Sequence, residues 1–445
     1  NIFLNKDLTW LRHGLTRLYT IRLDGRTRFS LSDPKPTGDL QAHPQNHLWA
    51  LFKNDIGRER VRKYTEEAFG LHFVIDPTAM TQFRVRMSKK KPSTKMEEQA
   101  LDEAARKFHK DSELISDLSD GVQAFTGLVS AILSFPHRIL LVDEPEAFLH
   151  PPLARRLGKN ISEVASERDA SLVVATHSSE FLMGCIEATP NLSIVRLNYE
   201  NKLATARSIS PIDLQKLMHD PLLRSAQALR GLFHRCVIVT EADKDRAFYE
   251  EINHRLQDNS QGIIDALFLN AQNWQTIPRI VKPLRVLGIP AAAIMDLDVV
   301  LDPNEWVAIY EMLSLDDAIK HELESLRKKC EGYLSKLPVT EDDRKQYKLN
   351  GMKALSGIEY QELKQLITQL EEYGLFIVEV GELECWLSST GVLFDPKRTW
   401  LTRIFSAMGA DPTSLPYVTP GTDDVWKFME SIKKWIDNPK RKGIP

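Results

Sequence analysis

Three pairs of carboxylates stand out because each follows an apolar run: Glu241 and Asp245 after Cys-Val-Ile-Val-Thr, Asp296 and Asp298 after Ala-Ala-Ala-Ile-Met, and Glu382 and Glu384 after Phe-Ile-Val-Glu-Val. Such runs read as buried parallel strands, whose carboxyl ends converge on one rim of a sheet. So many like charges at one rim repel, and the usual remedy is divalent metal; hard carboxylate oxygens suit Mg²⁺ or Mn²⁺ rather than zinc. Two such ions about 4 Å apart could clamp the attacking and leaving oxygens of a phosphodiester. A lone Asp-x-Asp is more often a surface feature at a strand end, so the recurrence carries the argument.

A second group suits nucleoside-triphosphate chemistry. Asp143 and Glu144 close the run Ile139 to Val142, which predicts a strand buried on both faces. The first carboxylate can hold Mg²⁺ through water and the second can accept a proton from an attacking water, although acids there would also cap a helix opened by Pro145. Upstream, Ser119 and Gly121 lie in Leu-Ser-Asp-Gly-Val-Gln (118–123), opening an apolar-periodic helix through Leu133 whose N-terminus suits a phosphate. Downstream, Ser-Leu-Val-Val-Ala-Thr (171–176) predicts a second buried strand, delivering His177.

The elements that must position these groups fall into two halves. From Cys236 the pattern is strand, helix Arg246 to about Leu256, strand 265–270, helix 277–287, strand 291–295, a β-α-β-α-β order implying a small parallel sheet with right-handed crossovers. Long charged helical stretches fill 304–373, the sheet pattern resumes at Leu375 to Val380, and Trp426 to Trp435 predicts a terminal helix. In the first half, alternation over 18–31 about Asp24-Gly25 predicts a hairpin. Residues 45–117 read as mostly helical with short apolar runs at 70–75 and 83–85, and Met96 to Leu114 as one charged amphipathic helix. Lys89-Lys90-Lys91, with Arg84 and Arg86, could touch a DNA backbone, though such a run is more often a solvated loop. Strands at 192–197 and 204–209 close this half, and Pro211 to Leu232 is a helical connector.

At 445 residues the chain has room for two or three domains, and 42% hydrophobic with 27% charged residues is ordinary for a globular protein. A net charge of −3 announces no nucleic-acid binder, so DNA binding would rest on local patches. No run has the length of a membrane span and no leader is present, so the expectation is a cytoplasmic protein without a membrane partner. Cys185, Cys236, Cys330 and Cys385 are scattered, which argues against disulfides and a zinc-thiolate site. No Gly-x-x-x-x-Gly-Lys-Ser/Thr occurs, and Gly158-Lys159 lacks the preceding glycine.

A signature-like turn, an acidic strand end and a strand-end histidine, in that order, resemble the second half of an ABC-type ATPase head. With the stretch Glu-Pro-Glu-Ala-Phe-Leu-His-Pro (144–151), they resemble the ATPase of OLD (overcoming lysogenization defect) nucleases. A glutamate after the first strand and an Asp-x-Asp after a later one resemble a Toprim domain, and Glu-x-x-x-Asp (241–245) with Leu-Glu (383–384) narrows this to the OLD type. The resemblance covers roughly 18–300 and 375–390.

It implies an α/β fold: an ABC-type ATPase head, with a mixed sheet and helical arm, followed by a Toprim parallel-sheet domain with a helical insertion. The expected domains are 1–210 (ATPase, its N-terminal phosphate-loop segment missing from this sequence or the ATPase degenerate), 211–232 (connector), 233–303 (Toprim, first part), 304–373 (insertion) and 374–445 (Toprim, second part, and helical tail). The resemblance implies metal ligands Glu241, Asp245, Asp296, Asp298 and Glu384, with Glu382 a weaker candidate. It further implies a catalytic lysine beyond the last glutamate, for which Lys427 is the first choice and Lys397 the second. His177 would sense the γ-phosphate, Asp143 and Glu144 would be metal-linked acid and general base, and Ser119 and Gly121 would reach nucleotide on a second subunit. The implied cofactors are ATP with Mg²⁺ and two Mg²⁺ or Mn²⁺ ions. The implied activity is ATP-gated DNA cleavage by a homodimer, in bacterial defence against phage, in some members beside a reverse transcriptase of a retron. The family commonly has glycine where Ala242 stands, which would strain a backbone needing φ > 0. The rival reading is a nucleotide-gated DNA-binding or scaffolding subunit that does not cut.

Overall fold

Two parallel sheets, each the floor of its own hydrophobic core, organise the chain. The computed structural model describes residues 19–25, 27–200, 202–212, 214–215, 228–304, 306–339, 345–392 and 399–444. The chain divides into two compact units, 1–192 and 193–445.

The first unit runs β1 (Thr20–Leu23), β2 (Lys35–Pro36), α1 (His47–Lys53), α2 (Asp55–Phe69), β3 (His72–Asp76), β4 (Gln82–Ser88), α3 (Lys95–Gln99), α4 (Glu103–Lys110), β5 (Glu113–Leu114), α5 (Asp120–Ser134), β6 (Ile139–Asp143), α6 (Pro151–Glu167), β7 (Ser171–Ala175) and α7 (Ser179–Ala188). Strands β1, β6 and β7 pair in parallel in that order, with Thr20 opposite Ile139 and Ile139 opposite Ser171. Leu140 and Val142 enter the core with Phe125 and Ile132 of α5 and Leu157 and Ile161 of α6. Ile139 is 41% and Val173 59% exposed. The described part of this sheet is thus covered on one face, correcting the expectation of strands buried on both.

Three further expectations change. Among the described residues of the 18–31 stretch there is no hairpin: β1 pairs with β6, and after Asp24, whose Oδ1 accepts from Thr27 N at 2.9 Å, the chain turns into a 3-10 helix at Phe29–Leu31. A nonlocal parallel partner outcompetes the local turn. Met96 to Leu114 is two short helices and a strand rather than one helix. Glu98 is buried between Arg58 Nε (3.0 Å) and Arg62 Nη2 (2.8 Å) of α2, and Asp102 starts α4 by capping Ala105 N at 2.9 Å. These contacts fold the segment back onto α2. The apolar runs at 70–75 and 83–85 become β3 and β4, in an antiparallel sheet ordered β2-β4-β3 with β5 on β4. Arg84 and Arg86 are engaged by the buried Asp76 at 2.8 and 2.6 Å, rather than held ready for a phosphate backbone.

The second unit opens with an antiparallel hairpin, β8 (Ile194–Glu200) and β9 (Leu203–Ile209). Arg196 Nε donates to Leu232 O at 3.1 Å. The hairpin groups with the second compact unit. In the connector, residues 213 and 216–227 lie outside the described residues. Next come β10 (Cys236–Thr240), α8 (Asp243–Asp258), β11 (Ala266–Asn270), α9 (Ile277–Val286) and β12 (Ala291–Met295). The insertion carries α10 (Trp306–Leu313), α11 (Asp317–Ser335), α12 (Gln346–Asn350) and α13 (Gly357–Glu372), and the chain finishes with β13 (Leu375–Ile377), α14 (Trp400–Met408) and α15 (Asp424–Asp437). The sheet is parallel throughout, ordered β11-β10-β12-β13. Every residue of β10, β12 and β13 is buried, which is why their sequences read as unbroken apolar runs. Among the described residues, no helix is long and apolar enough to cross a membrane.

Candidate active sites

At the end of β6 the chain turns sharply. Glu144 has φ +45°, a region uncommon for residues with a side chain, and its N–H donates to Ala175 O of β7 at 2.8 Å. The turn is held by Arg28, only 1% exposed. Arg28 Nη2 donates to Asp143 O (2.9 Å) and Glu144 O (2.5 Å), and Nη1 to Ala147 O (3.2 Å). Burial lowers the Arg28 pKa, opposed by the charges of Glu146, Glu144 and Asp143. Glu146, 6% exposed, accepts from Thr176 Oγ1 at 2.7 Å and from His177 N at 3.1 Å. The exposed His177 ring places Nδ1 3.4 Å from Glu144 Oε1 and 3.5 Å from Glu146 Oε1.

Asp143, Glu144 and His177 therefore share one sheet rim. The signature-like turn packs on the loop that follows β6: a Cβ on Gly121 would lie 3.0 Å from Phe148 O. Ser119, the exposed residue preceding α5, makes no side-chain cap to its own helix. Sequence reasoning missed Arg28, whose role needs a partner far along the chain, and passed over Glu146 although it stands inside the 144–151 stretch.

In the second unit β10, β12 and β13 deliver their acids to one rim. Glu241 Oε1 accepts from Asp296 N at 3.0 Å, and Asp245 Oδ2 from Ala242 N at 2.9 Å. Ala242 is extended, with φ −127°, so the absent glycine costs no strain. Burial, reinforced by Asp298 and Asp245, pushes Glu241 up to about 7 against the Asp296 hydrogen bond. Burial pushes Asp245 up to about 6. Burial first, then the charges of Glu241 and Asp245, raises Asp296 well above the carboxylate range.

The third pair is held differently. Lys244 Nζ donates to Glu384 Oε1 at 2.8 Å, while Lys348 Nζ lies 3.1 Å from Glu382 Oε1 and 3.7 Å from Asp298 Oδ2. Among the described residues, no three histidine, cysteine or acidic side chains are gathered closely enough to hold an ion as they stand. The donors are nonetheless all hard oxygens, and Asp298 Oδ1 is buried without a hydrogen-bond partner. That chemistry fits a divalent oxygen-seeking cation. Lys427 is exposed on α15, where its charge acts on Glu371 and Glu430; Lys397 lies outside the described residues. Tyr249 is buried and accepts from Trp386 Nε1 at 3.0 Å, a packing residue.

Residues 48–183 match the family described as "AAA domain, putative AbiEii toxin, Type IV TA system", and residues 232–298 match "Overcoming lysogenization defect protein-like, TOPRIM domain". The chain is 42% identical over 60 residues to the phosphonates import ATP-binding protein PhnC 2 of Synechococcus sp. (strain JA-2-3B'a(2-13)), a match covering 14% of this chain and 22% of that protein. Similar solved structures include an SMC head bound to the C-winged helix domain of ScpA (TM-score 0.31, 13% identity, 44% of this chain, 56% of that one). Another comes from work on ATP-driven dimerization and DNA-stimulated activation of SMC ATPases (TM-score 0.26, 14% identity, 38% of this chain, 91% of that one). The chain thus joins an AAA/ABC-like ATPase domain to an OLD-like Toprim domain. This order is similar to that of an OLD-family ATPase–Toprim fusion.

Proposed function

We propose that the protein is an ATP-regulated, divalent-metal-dependent DNA endonuclease of bacterial anti-phage defence, dimerising through its ATPase heads. The observation that carries this reading is the convergence of three acidic strand ends on one buried rim, where Asp296 feels the charges of Glu241, Asp245, Asp298 and Glu382. Glu241, Asp245, Asp296, Asp298, Glu382 and Glu384 would hold Mg²⁺ or Mn²⁺. Bound there, the ions would activate water and offset charge on a phosphodiester. The chain's own part is to fix the carboxylates: Asp296 N–H orients Glu241, and Ala242 N–H orients Asp245. In the ATPase domain, Asp143 would hold the Mg²⁺ of ATP, Glu144 would take a proton from water, and His177 beside it would contact the γ-phosphate. Ser119 and Gly121 would serve the nucleotide of the second subunit. Defence against phage, and a reverse transcriptase as partner, follow from kinship alone.

Full-length protein incubated with plasmid DNA and Mg²⁺ or Mn²⁺, with and without ATP, tests the reading. Metal-dependent nicking or cleavage should vanish in Asp296→Ala/Asp298→Ala, and the ATP comparison gives the sign of the coupling. A second reading, a nucleotide-gated scaffold that does not cut, is favoured by the lysines held on Glu382 and Glu384. DNA left intact under every condition would support it.

A further inference from the structure

The lysines on the third strand end are placed by the fold. Lys348 comes from α12, in the insertion, and that helix is locked against the loop after β13. A Cβ on Gly381, at φ +109°, would lie 2.5 Å from both Tyr347 O and Lys348 O, and one on Gly351, at φ +54°, would lie 2.0 Å from Glu379 O. Met352 N donates to Glu379 O at 2.9 Å, and Cys385 Sγ to Lys348 O at 3.3 Å. Backbone approaches this close leave α12 little room to withdraw its lysine. Lys244, in the first turn of α8, reaches the same loop from the opposite end of the acid set through Glu384.

These pairs are not ordinary surface pairs. The acceptors are largely covered, Glu384 at 11% and Glu382 at 18% exposure, beneath lysines that are 49% and 31% exposed, so solvent and salt screen the pairs only in part. An ammonium on Glu382 or Glu384 occupies an oxygen that a divalent cation would use, and repels that cation.

We infer that Lys244 and Lys348 are place-holding cations of the acidic rim, neutralising the third carboxylate pair in the metal-free protein and competing with a divalent cation for it. The inference rests on reading the rim as a metal site. Its consequence is a threshold: metal loads only by displacing two built-in ammonium groups.

Mn²⁺ binding to the full-length protein, measured by titration calorimetry without DNA or nucleotide, tests it. Lys244→Met and Lys348→Met should each tighten binding about threefold, and the double variant about tenfold, while Lys348→Arg, keeping the charge, should stay near wild type. Melting in EDTA and in Mn²⁺ gives a second readout: the methionine variants should gain more from Mn²⁺ than wild type does. Unchanged or weaker Mn²⁺ binding in folded methionine variants would overturn the inference and leave the lysines as scaffolding. Should Lys348→Met not fold, Lys244→Met, changed at an exposed first turn, decides alone. The metal-site reading itself fails in a distinguishable way: wild type would then show no Mn²⁺ binding that Asp296→Asn/Asp298→Asn removes.

Discussion

Arg28→Met would test how the ATPase acid is held. The side chain donates three hydrogen bonds, to Asp143 O, Glu144 O and Ala147 O, from a position 1% exposed. Bonds from a charged donor are worth more than neutral ones, and their loss strands buried carbonyls, so the change should cost about 3–5 kcal/mol. For a unit of this size that is a fall in Tm of roughly 10 °C. The functional consequence is separate. Glu144 sits at φ +45°, a strain of about 1–3 kcal/mol that persists only while its surroundings over-determine it. Here the holds are Arg28 on its carbonyl and Ala175 O on its N–H. Without the first, the peptide relaxes and the carboxylate leaves its place 3.4 Å from His177 Nδ1. A misplacement of about 1 Å can cost about a hundredfold in rate. Steady-state ATP hydrolysis of full-length protein, well below both melting temperatures and beside Arg28→Lys, should fall at least tenfold in the methionine variant and less in the lysine one. A destabilised Arg28→Met protein that hydrolyses ATP at the wild-type rate would refute the link between Arg28 and the acid. An unchanged Tm would refute the energy assigned to the buried bonds.

Two stability predictions concern the second unit. Gly381→Ala puts a Cβ 2.5 Å from two backbone oxygens at a φ that side chains rarely adopt, so it should destabilise by about 2–4 kcal/mol in urea unfolding; a wild-type midpoint would show that the approach of α12 is loose. Glu371 is pushed up to about 7, first by burial and then by Glu379, against Lys427. Its folded pKa exceeds the unfolded one, so the folded state holds the extra proton between about 4.5 and 7 and ionised Glu371 costs stability above that window. Glu371→Gln should therefore add about 1–2 kcal/mol at pH 8 and almost nothing near pH 4, and an equal gain at both pH values would exclude ionisation as the cause.

The second sheet was legible in the sequence because its strands are covered on both faces. Cys236–Thr240 and Ala291–Met295 carry no polar residue before the strand end, and that pattern has few other meanings. The first sheet was less legible for the complementary reason. Ile139 to Val142 has the same composition, yet Ile139 is 41% exposed, and composition does not tell a strand covered twice from one covered once. Asp24-Gly25 has the local chemistry of a hairpin turn, but the partner of β1 is β6, and no local pattern reports a pairing so far along the chain. A helical period over 96–114 likewise hides the break, because Glu98, which reads as a solvated acid, is the buried partner of two arginines.

The same asymmetry governs the acidic rim. Its carboxylates could be found because strand ends must converge, and their mutual repulsion could be foreseen from charge alone. What offsets that repulsion in the absence of a metal could not, since Lys348 arrives from an insertion in which it is one of many charged residues. The fold relieves the repulsion in two ways. Burial raises Glu241, Asp245 and Asp296 toward their neutral forms, while Glu382 and Glu384 are paired with lysines. A cation entering the rim would therefore have to displace protons from the first two strand ends and ammonium groups from the third. The proton exchange favours loading at higher pH and both exchanges favour it at higher metal concentration, so the rim should respond to pH and metal together.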